Sequence, residues 1–373
     1  MVGILTFHRA LNYGALLQAY ALHRVLNDQG ISNCIIDYKC DHFEKEYHLF
    51  ADYKYVNIKG KVVRTLNIPD IIAKRIKFKT FIKNHIKLSE KKDLTRTDLV
   101  DNWKITGCDT IITGSDQIWN NNVTNFDKTY FLDFVNDPQS KKSYAASFGF
   151  NKIPEELISE YRALLSDFSH ISVREKIGAD IIKQLCGRMV PINLDPTLLL
   201  KREMWMQLCS DTVKIKNYIL VFCIIETESI RGFANKLSNK TGCPVITVMD
   251  KVINSLNVFN NLGLGPCEFL DLFKHARYIV TNSYHGTAFS INFNKDFFVE
   301  LQTHSNNTNS RILQLLELFG LQNREIHKGT NTINLETVEF GTINSILFEQ
   351  RKMAITWLKE ITTKTPNDFT GSK

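Results

Sequence analysis

Short apolar runs alternate with segments whose apolar residues recur every three to four positions, and this rhythm fixes the fold class. "VGILTF" (2–7) is a continuous apolar run, and "NCIIDY" (33–38), "CDTIIT" (108–113) and "KSYAASFG" (142–149) read as the strands that follow it. Strands of that kind are buried on both sides, as in a parallel sheet covered by helices. Between the first two runs, Ala15, Ala19, Leu22 and Leu26 share one face of a helix over 13–28, and Gly30 stops it. "HISVREKIGADIIKQLCG" (170–187) reads as a strand and then a helix, and "VPINLDPTLLL" (190–200) as a strand broken at Asp195–Pro196. The rhythm resumes with strands at "NYILVFCII" (217–225), "CPVITVM" (243–249), "RYIVTNS" (277–283) and "DFFVEL" (296–301). Helices are predicted over 227–240, 267–276, 286–294 and 309–320. Two such sets predict an α/β protein of two Rossmann-like, doubly wound domains facing across a cleft. A length of 373 residues suits two domains. The expected limits are 1–205 and 206–340, then a helix over 341–361 and a disordered polar tail over 362–373.

Residues 41–100 interrupt the first set. Between Lys54 and Lys92 there are twelve Lys or Arg against Asp70 and Glu90. "IIAKRIKFKTFIKNHIKL" is a solvated amphipathic helix or a basic face for an anionic surface. The formal net charge of +7 is too modest on this length to mark a nucleic-acid binder and suits a handler of anions. Eight scattered cysteines have no CxxC spacing and no histidine cluster beside them, so neither a zinc site nor a disulfide framework is expected. The N-terminus lacks the basic and apolar regions of a signal peptide, and no apolar window reaches a membrane span. A reduced, cytoplasmic protein is the expectation.

Ligands of doubly wound sheets bind at the carboxyl ends of strands. The loops expected there are 8–14, 114–120, 147–149, 174–175, Asp195, 281–286 and the segment before Ile312. "TNSYHGTAFS" (281–290) ends a strand and opens a helix. There Ser283, Gly286 and Thr287 would offer N–H and hydroxyl groups to an anion, with His285 beside them as a proton carrier. Arg174 stands at a strand–helix junction and Arg311 in the first turn of a helix. A bound anion would compensate a cation in that position. "TGSDQIWN" (113–120) groups Ser115, Asp116, Gln117 and Trp119, an apolar platform among groups that read hydroxyls. His8, Asn12 and Tyr13 crowd another helix start, which Gly14 keeps open. Each has a plainer reading: a capped helix with an incidental histidine, surface arginines, an Asx turn with Trp119 in the core. No Walker loop, GxGxxG, GxSxG or kinase motif is present.

Taken in order, "GILTFHRALNYGALLQAYAL", "IITGSDQIWN", "YAASFG", "SVREKIG", "DPTLLL" and "TNSYHGTAFSINFNKDFF" resemble the polysaccharide pyruvyl transferase family. The resemblance runs from Gly3 to about Arg324. It implies a glycosyltransferase-B-like fold and transfer of pyruvate from phosphoenolpyruvate onto two sugar hydroxyls as a ketal. The sugar would belong to a bacterial surface polysaccharide or its lipid-linked precursor, with the donor on the C-terminal domain and the acceptor on the N-terminal one. Its functional arginine and histidine map onto Arg174 and His285. A further basic residue is expected at Lys295 or Arg311, and the helix-start argument favours Arg311. The scheme makes His285 the acid, Arg174 and Arg311 the anion clamps, and Asp116 the base or acceptor orienter. It uses phosphoenolpyruvate as co-substrate, with no metal or other cofactor. The basic region 54–92 would suit peripheral docking at the inner membrane face. Two other readings remain open, a sugar-nucleotide-dependent glycosyltransferase and a non-catalytic saccharide-binding protein.

Overall fold

The computed structural model describes residues 1–46, 65, 67–249, 263–302, 309–327, 333 and 335–363. Part of the basic region (54–64) and most of the expected tail (364–373) lie outside the described residues.

The first sheet contains β1 (Val2–Leu5), β2 (Asn33–Ile35), β3 (Thr110–Thr113) and β4 (Lys141–Ser143) in the order β2-β1-β3-β4. All its pairs are parallel, with Val2 facing both Asn33 and Thr110 and Ile111 facing Lys141. The second contains β5 (Ile219–Cys223), β6 (Val245–Met249), β7 (Tyr278–Thr281) and β8 (Asp296–Val299) in the order β6-β5-β7-β8, again all parallel. The two orders are the same permutation. In each, the second strand lies on one side of the first and the third on the other. The direction of winding thus reverses between β1 and β3 and between β5 and β7. The loops leaving those strands splay apart there and open a crevice. The pair of doubly wound units expected from the sequence is therefore the architecture observed.

The expected strands at 170–173 and 190–195 reduce to single bridges, Lys142 to His170, Ala146 to Val173 and Val173 to Ile192. Backbone bonds still join the segment to β4 and the residues just after it, from Ser143 N to the His170 carbonyl at 3.0 Å, from Ala146 N to that of Ser172 at 3.2 Å and from Arg174 N to that of Ala146 at 3.1 Å. Ala145, at φ 45°, interrupts the ladder, and serine hydroxyls supplement it. The N–H of Ser172 donates to Ser143 Oγ at 3.2 Å, and that of Ala145 to Ser172 Oγ at 3.0 Å. The helix expected after them is present at Lys176–Cys186.

One apolar core runs through both halves. It joins Ile4, Ile35 and Ile112 of the first sheet to Leu220, Ile279 and Phe297 of the second. The C-terminal helix, Phe340–Thr362, buries Ile343, Leu347, Ala354, Leu358 and Ile361 in it. Its Trp357 ring lies 6.1 Å from Tyr144, just beyond β4, so the helix returns to the first half. Among the described residues, no helix is long and apolar enough to cross a membrane.

Candidate active site

Helix Tyr284–Asn292 begins directly after β7, and Ser283 is its N-cap. The N–H groups expected to face an anion are spent inside the helix start. That of Gly286 donates to Ser283 Oγ and that of Thr287 to the Ser283 carbonyl. The Thr287 hydroxyl donates to the same carbonyl and is fully buried. Gly286 is required for another reason than anion approach. A Cβ there would lie 2.2 Å from Thr281 Oγ1 and 3.0 Å from Phe222 Cδ1. Gly286 and Thr287 therefore build the helix start and do not line the site, a correction to the expected donor contacts. Asn282 ties the two loops together, with its Oδ1 accepting from Ile224 N and its Nδ2 donating to the Ile225 carbonyl.

His285 projects from this first turn toward Asp195. Its Nε2 lies 3.6 Å from Asp195 Oδ2, an ion-pair distance rather than a hydrogen bond. The same oxygen lies 2.9 Å from Arg174 Nη2, while Asp195 Oδ1 accepts from the Thr197 N–H and hydroxyl. Burial pushes the Asp195 carboxyl up, but Arg174 and then His285 outweigh it and hold the group well below the usual carboxylate range. Arg174 Nη2 also donates to Ser115 Oγ at 2.8 Å and lies 3.5 Å from Asp116 Oδ1. Burial alone would lower the guanidinium's pKa, yet Asp195 and Asp116 raise it. Asp116 itself adopts φ 74°, a left-handed conformation uncommon outside glycine, asparagine and aspartate. Residues from the ends of β3 and β7 and from the bridge at Val173 thus converge with Asp195 on one charge network.

Arg311 enters from the first turn of helix Ser310–Phe319. It is 7% exposed and has no ion pair among the described residues. Its Nε is buried without a hydrogen-bond partner among the described residues, as are Nε and Nη1 of Arg174. Burial and the nearby Arg174 push the Arg311 guanidinium down, with Glu175 opposing them. Both guanidiniums lie near the buried Tyr284 ring, 4.9 Å for Arg174 and 5.6 Å for Arg311. Glu175 is buried too. Burial raises its carboxyl despite Arg311 and Arg174, and its Oε1 accepts from Ser147 Oγ at 3.0 Å and from Phe148 N at 3.2 Å.

A cavity of about 240 Å³ lies against this network. From the first half it is lined by Asn12, Gly14, Asp116 and Gln117. From the second it is lined by Ser283, Tyr284, His285, Asn309 and Arg311, among others. His285, Asp116, Gln117, Asn12, Ser283 and Arg311 therefore meet as expected. Arg174 and Ser115 sit behind the wall, where Ser115 holds Arg174 and is fully buried, so its expected contact with an acceptor is corrected. Trp119 is no sugar platform. It is fully buried among Phe131, Phe148 and Phe168, and its Nε1 donates to the Tyr130 carbonyl. Tyr13 stacks on Phe269 at 4.4 Å and donates to the Leu264 carbonyl, so it joins the halves rather than meeting an acceptor. His8 is buried against Asp37, with Nε2 3.0 Å from Oδ1, and faces a different cavity. Lys295 is excluded from the site because its Nζ caps the Lys274 and Ala276 carbonyls. Asp195, Tyr284 and Glu175 received no role from the sequence. Asp195 and Glu175 were legible only as positions at strand ends.

The model of the polysaccharide pyruvyl transferase family matches residues 12–299, more than half of the chain. The chain belongs to that family. Arg174 and His285 fall inside the matched region and Arg311 beyond it. No curated protein matches the sequence. Among solved structures, the chain is similar to the S. aureus MnaA–UDP complex, at 12% identity and a TM-score of 0.48, with 98% of each chain covered. It is also similar to the Neisseria meningitidis UDP-GlcNAc 2-epimerase bound to UDP-GlcNAc, at 10% identity and a TM-score of 0.45, covering 98% of this chain and 94% of that one. A third is the E. coli ADP-heptose lps heptosyltransferase II, at 10% identity and a TM-score of 0.36, covering 94% and 99%. Membership in the family makes the chain a transferase of polysaccharide biosynthesis.

Proposed function

We propose that the cleft cavity binds phosphoenolpyruvate and that the chain transfers its pyruvyl group to two hydroxyls of a saccharide, forming a ketal. The observation that carries this reading is Arg311, a buried guanidinium on the cavity wall with no ion pair among the described residues and a second buried arginine behind it. An unpaired buried charge is costly, and a bound anion relieves it. Arg174 is already paired with Asp195. Arg311 therefore takes the phosphate or carboxylate of the donor directly, while the unpaired Nη1 and Nε of Arg174 favour the second anionic group. A cavity of about 240 Å³ is small beside typical ligand pockets of about 300–1,000 Å³ and suits a small anion better than a sugar nucleotide.

In this scheme protonated His285 gives its proton to C3 of the enol, which becomes a methyl group, and positive charge develops at C2. A sugar hydroxyl attacks C2, and its proton passes to Asp116. The C2–O bond to phosphate breaks, and a second sugar hydroxyl closes the ketal. Its proton leaves with the phosphate, and the proton on Asp116 restores His285. Asp195 holds His285 and Arg174 in register. Its carboxylate never meets the substrate.

The test is melting temperature with and without millimolar phosphoenolpyruvate, followed by phosphate release in the presence of saccharide acceptors. A ligand at about 100 times its Kd adds roughly 2.7 kcal/mol, a visible upward shift. Arg311→Ala should abolish that shift. His285→Ala should keep it and lose about 10²–10⁴-fold in turnover. Stabilisation by a sugar nucleotide, with none by phosphoenolpyruvate, would overturn the reading.

A further inference from the structure

A second and larger cavity, about 530 Å³, opens at the carboxyl ends of β1 and β2, against helix Ile68–His85. Leu11 lines it while the next residue, Asn12, lines the cleft cavity, so one loop is the common wall. Its carboxylates are spent. Arg9 donates to Asp37 at 2.8 Å, to Glu44 at 3.1 Å and to Asp93 at 3.0 Å, and His8 holds Asp37 from the other side. Its lysines are not. Lys79 and Lys83 are exposed and have no ion pair among the described residues, and Lys92 only donates to the Ser89 carbonyl. Arg75, Lys79 and Lys83 also follow at i, i+4 and i+8, a spacing at which like charges oppose the helix. Beside this cationic ridge runs an apolar one, Phe78, Ile82 and Ile86. The stripe Ile72, Ile76, Lys79, Lys83 then carries both characters out to solvent, with Ile72 42% and Ile76 59% exposed.

We propose that this cavity is a binding site for a phosphate group carried on an apolar stem. Lys79, Lys83 and Lys92 take the phosphate, and the Phe78–Ile82–Ile86 ridge takes the stem. A purely solvated basic helix needs no apolar wall, and an apolar pocket needs no row of lysines without ion pairs; an amphiphilic anion uses both. The site is separate from the cleft, and the proposal goes beyond the ketal-forming reading without resting on it.

The test is calorimetric titration of the full chain with dodecyl phosphate below its micellar concentration and with inorganic phosphate. Vesicles of phosphatidylcholine containing phosphatidic acid follow, in a flotation assay. The expected result is dodecyl phosphate binding about ten-fold or more tighter than inorganic phosphate. The pair Lys79→Glu/Lys83→Glu should weaken it by about ten-fold or more, while Lys352→Glu/Lys359→Glu, two exposed positions on the C-terminal helix, should not. Arg311→Ala should leave it unchanged, which separates it from the cleft. Vesicle binding lost in the first pair identifies a membrane lipid as the source. Dodecyl phosphate binding without vesicle binding identifies a free ligand. No binding, equal affinity for inorganic phosphate, or equal loss in both lysine pairs would overturn the proposal.

Discussion

At the scale of single residues, Gly14 shows how tightly the candidate acid is held. A Cβ at Gly14 would lie 2.0 Å from His285 Nδ1 and 2.3 Å from its Cγ, so any side chain there displaces the imidazole. A misplacement of about 1 Å can cost about 10²-fold in rate. Gly14→Ala should therefore lower kcat by about that factor while phosphoenolpyruvate still shifts the melting temperature, because Arg311 is untouched. Unchanged turnover would remove His285 from the chemistry. Asp195→Asn tests the other partner. It leaves Arg174 buried with weaker compensation, and breaking a buried pair costs about 3–5 kcal/mol. Chemical denaturation of this variant should show a loss of that order. The legible part of the site followed from the same local rule. A helix start after a buried strand aims its first turn at the carboxyl end of the sheet, which placed His285 and Ser283. The illegible part was pairing across the fold. Nothing in "TGSDQIWN" says that Ser115 faces Arg174 while Trp119 turns inward onto Phe131 and Phe148. An aromatic among polar residues has the same pattern in a sugar site and in a core.

Among the elements, period was readable and partners were not. The C-terminal helix was expected over 341–361 from its apolar spacing and is Phe340–Thr362. Its docking on the first half depends on Arg351, whose Nε donates to the Leu198 carbonyl at 2.7 Å and whose Nη2 donates to that of Leu200 at 2.9 Å. Those carbonyls belong to the short turn of helix after Asp195, Pro196–Leu199, and the residue that follows it. Arg351→Ala leaves the Leu198 carbonyl without that donor, at about 1–3 kcal/mol for a buried group left unsatisfied, while the Leu200 carbonyl keeps its bond from Asn292 Nδ2 at 3.0 Å. Its thermal unfolding should therefore shift down by several degrees, and an unshifted midpoint would show that water replaces the guanidinium. The strands misjudged at 170–173 and 190–195 have the opposite lesson. Their apolar residues fit strands and their backbone bonds to neighbouring segments are made, but the left-handed residue Ala145, at φ 45°, interrupts the ladder, and nothing in the composition marks that position.

For the whole molecule, the continuous core predicts that the two halves unfold together. Tyr13 stacks on Phe269, and Gln314 donates to the Arg174 carbonyl while accepting from Lys176 N, so contacts cross the cleft from both sides. Acid should expose this coupling, because one buried carboxylate, Asp37, supports the first half and another, Asp195, lies where the halves meet, between Arg174 and His285. For Asp37, burial raises the carboxyl, but His8 and then Arg9 bring it well below the usual range. For Asp195, Arg174 and His285 do the same. A carboxyl whose folded pKa is depressed contributes stability that is fully present above its unfolded value, about 3.9. That stability is lost as pH falls toward the folded value, because the unfolded chain then binds more protons than the folded one. The melting temperature should thus be nearly flat above about pH 5 from these two groups and fall steeply below about pH 4. Calorimetry should show one transition moving as a unit, and Asp195→Asn should flatten the acid limb. Two separating transitions, one per sheet, would show that the shared core does not couple the halves and that the cleft can open without global unfolding.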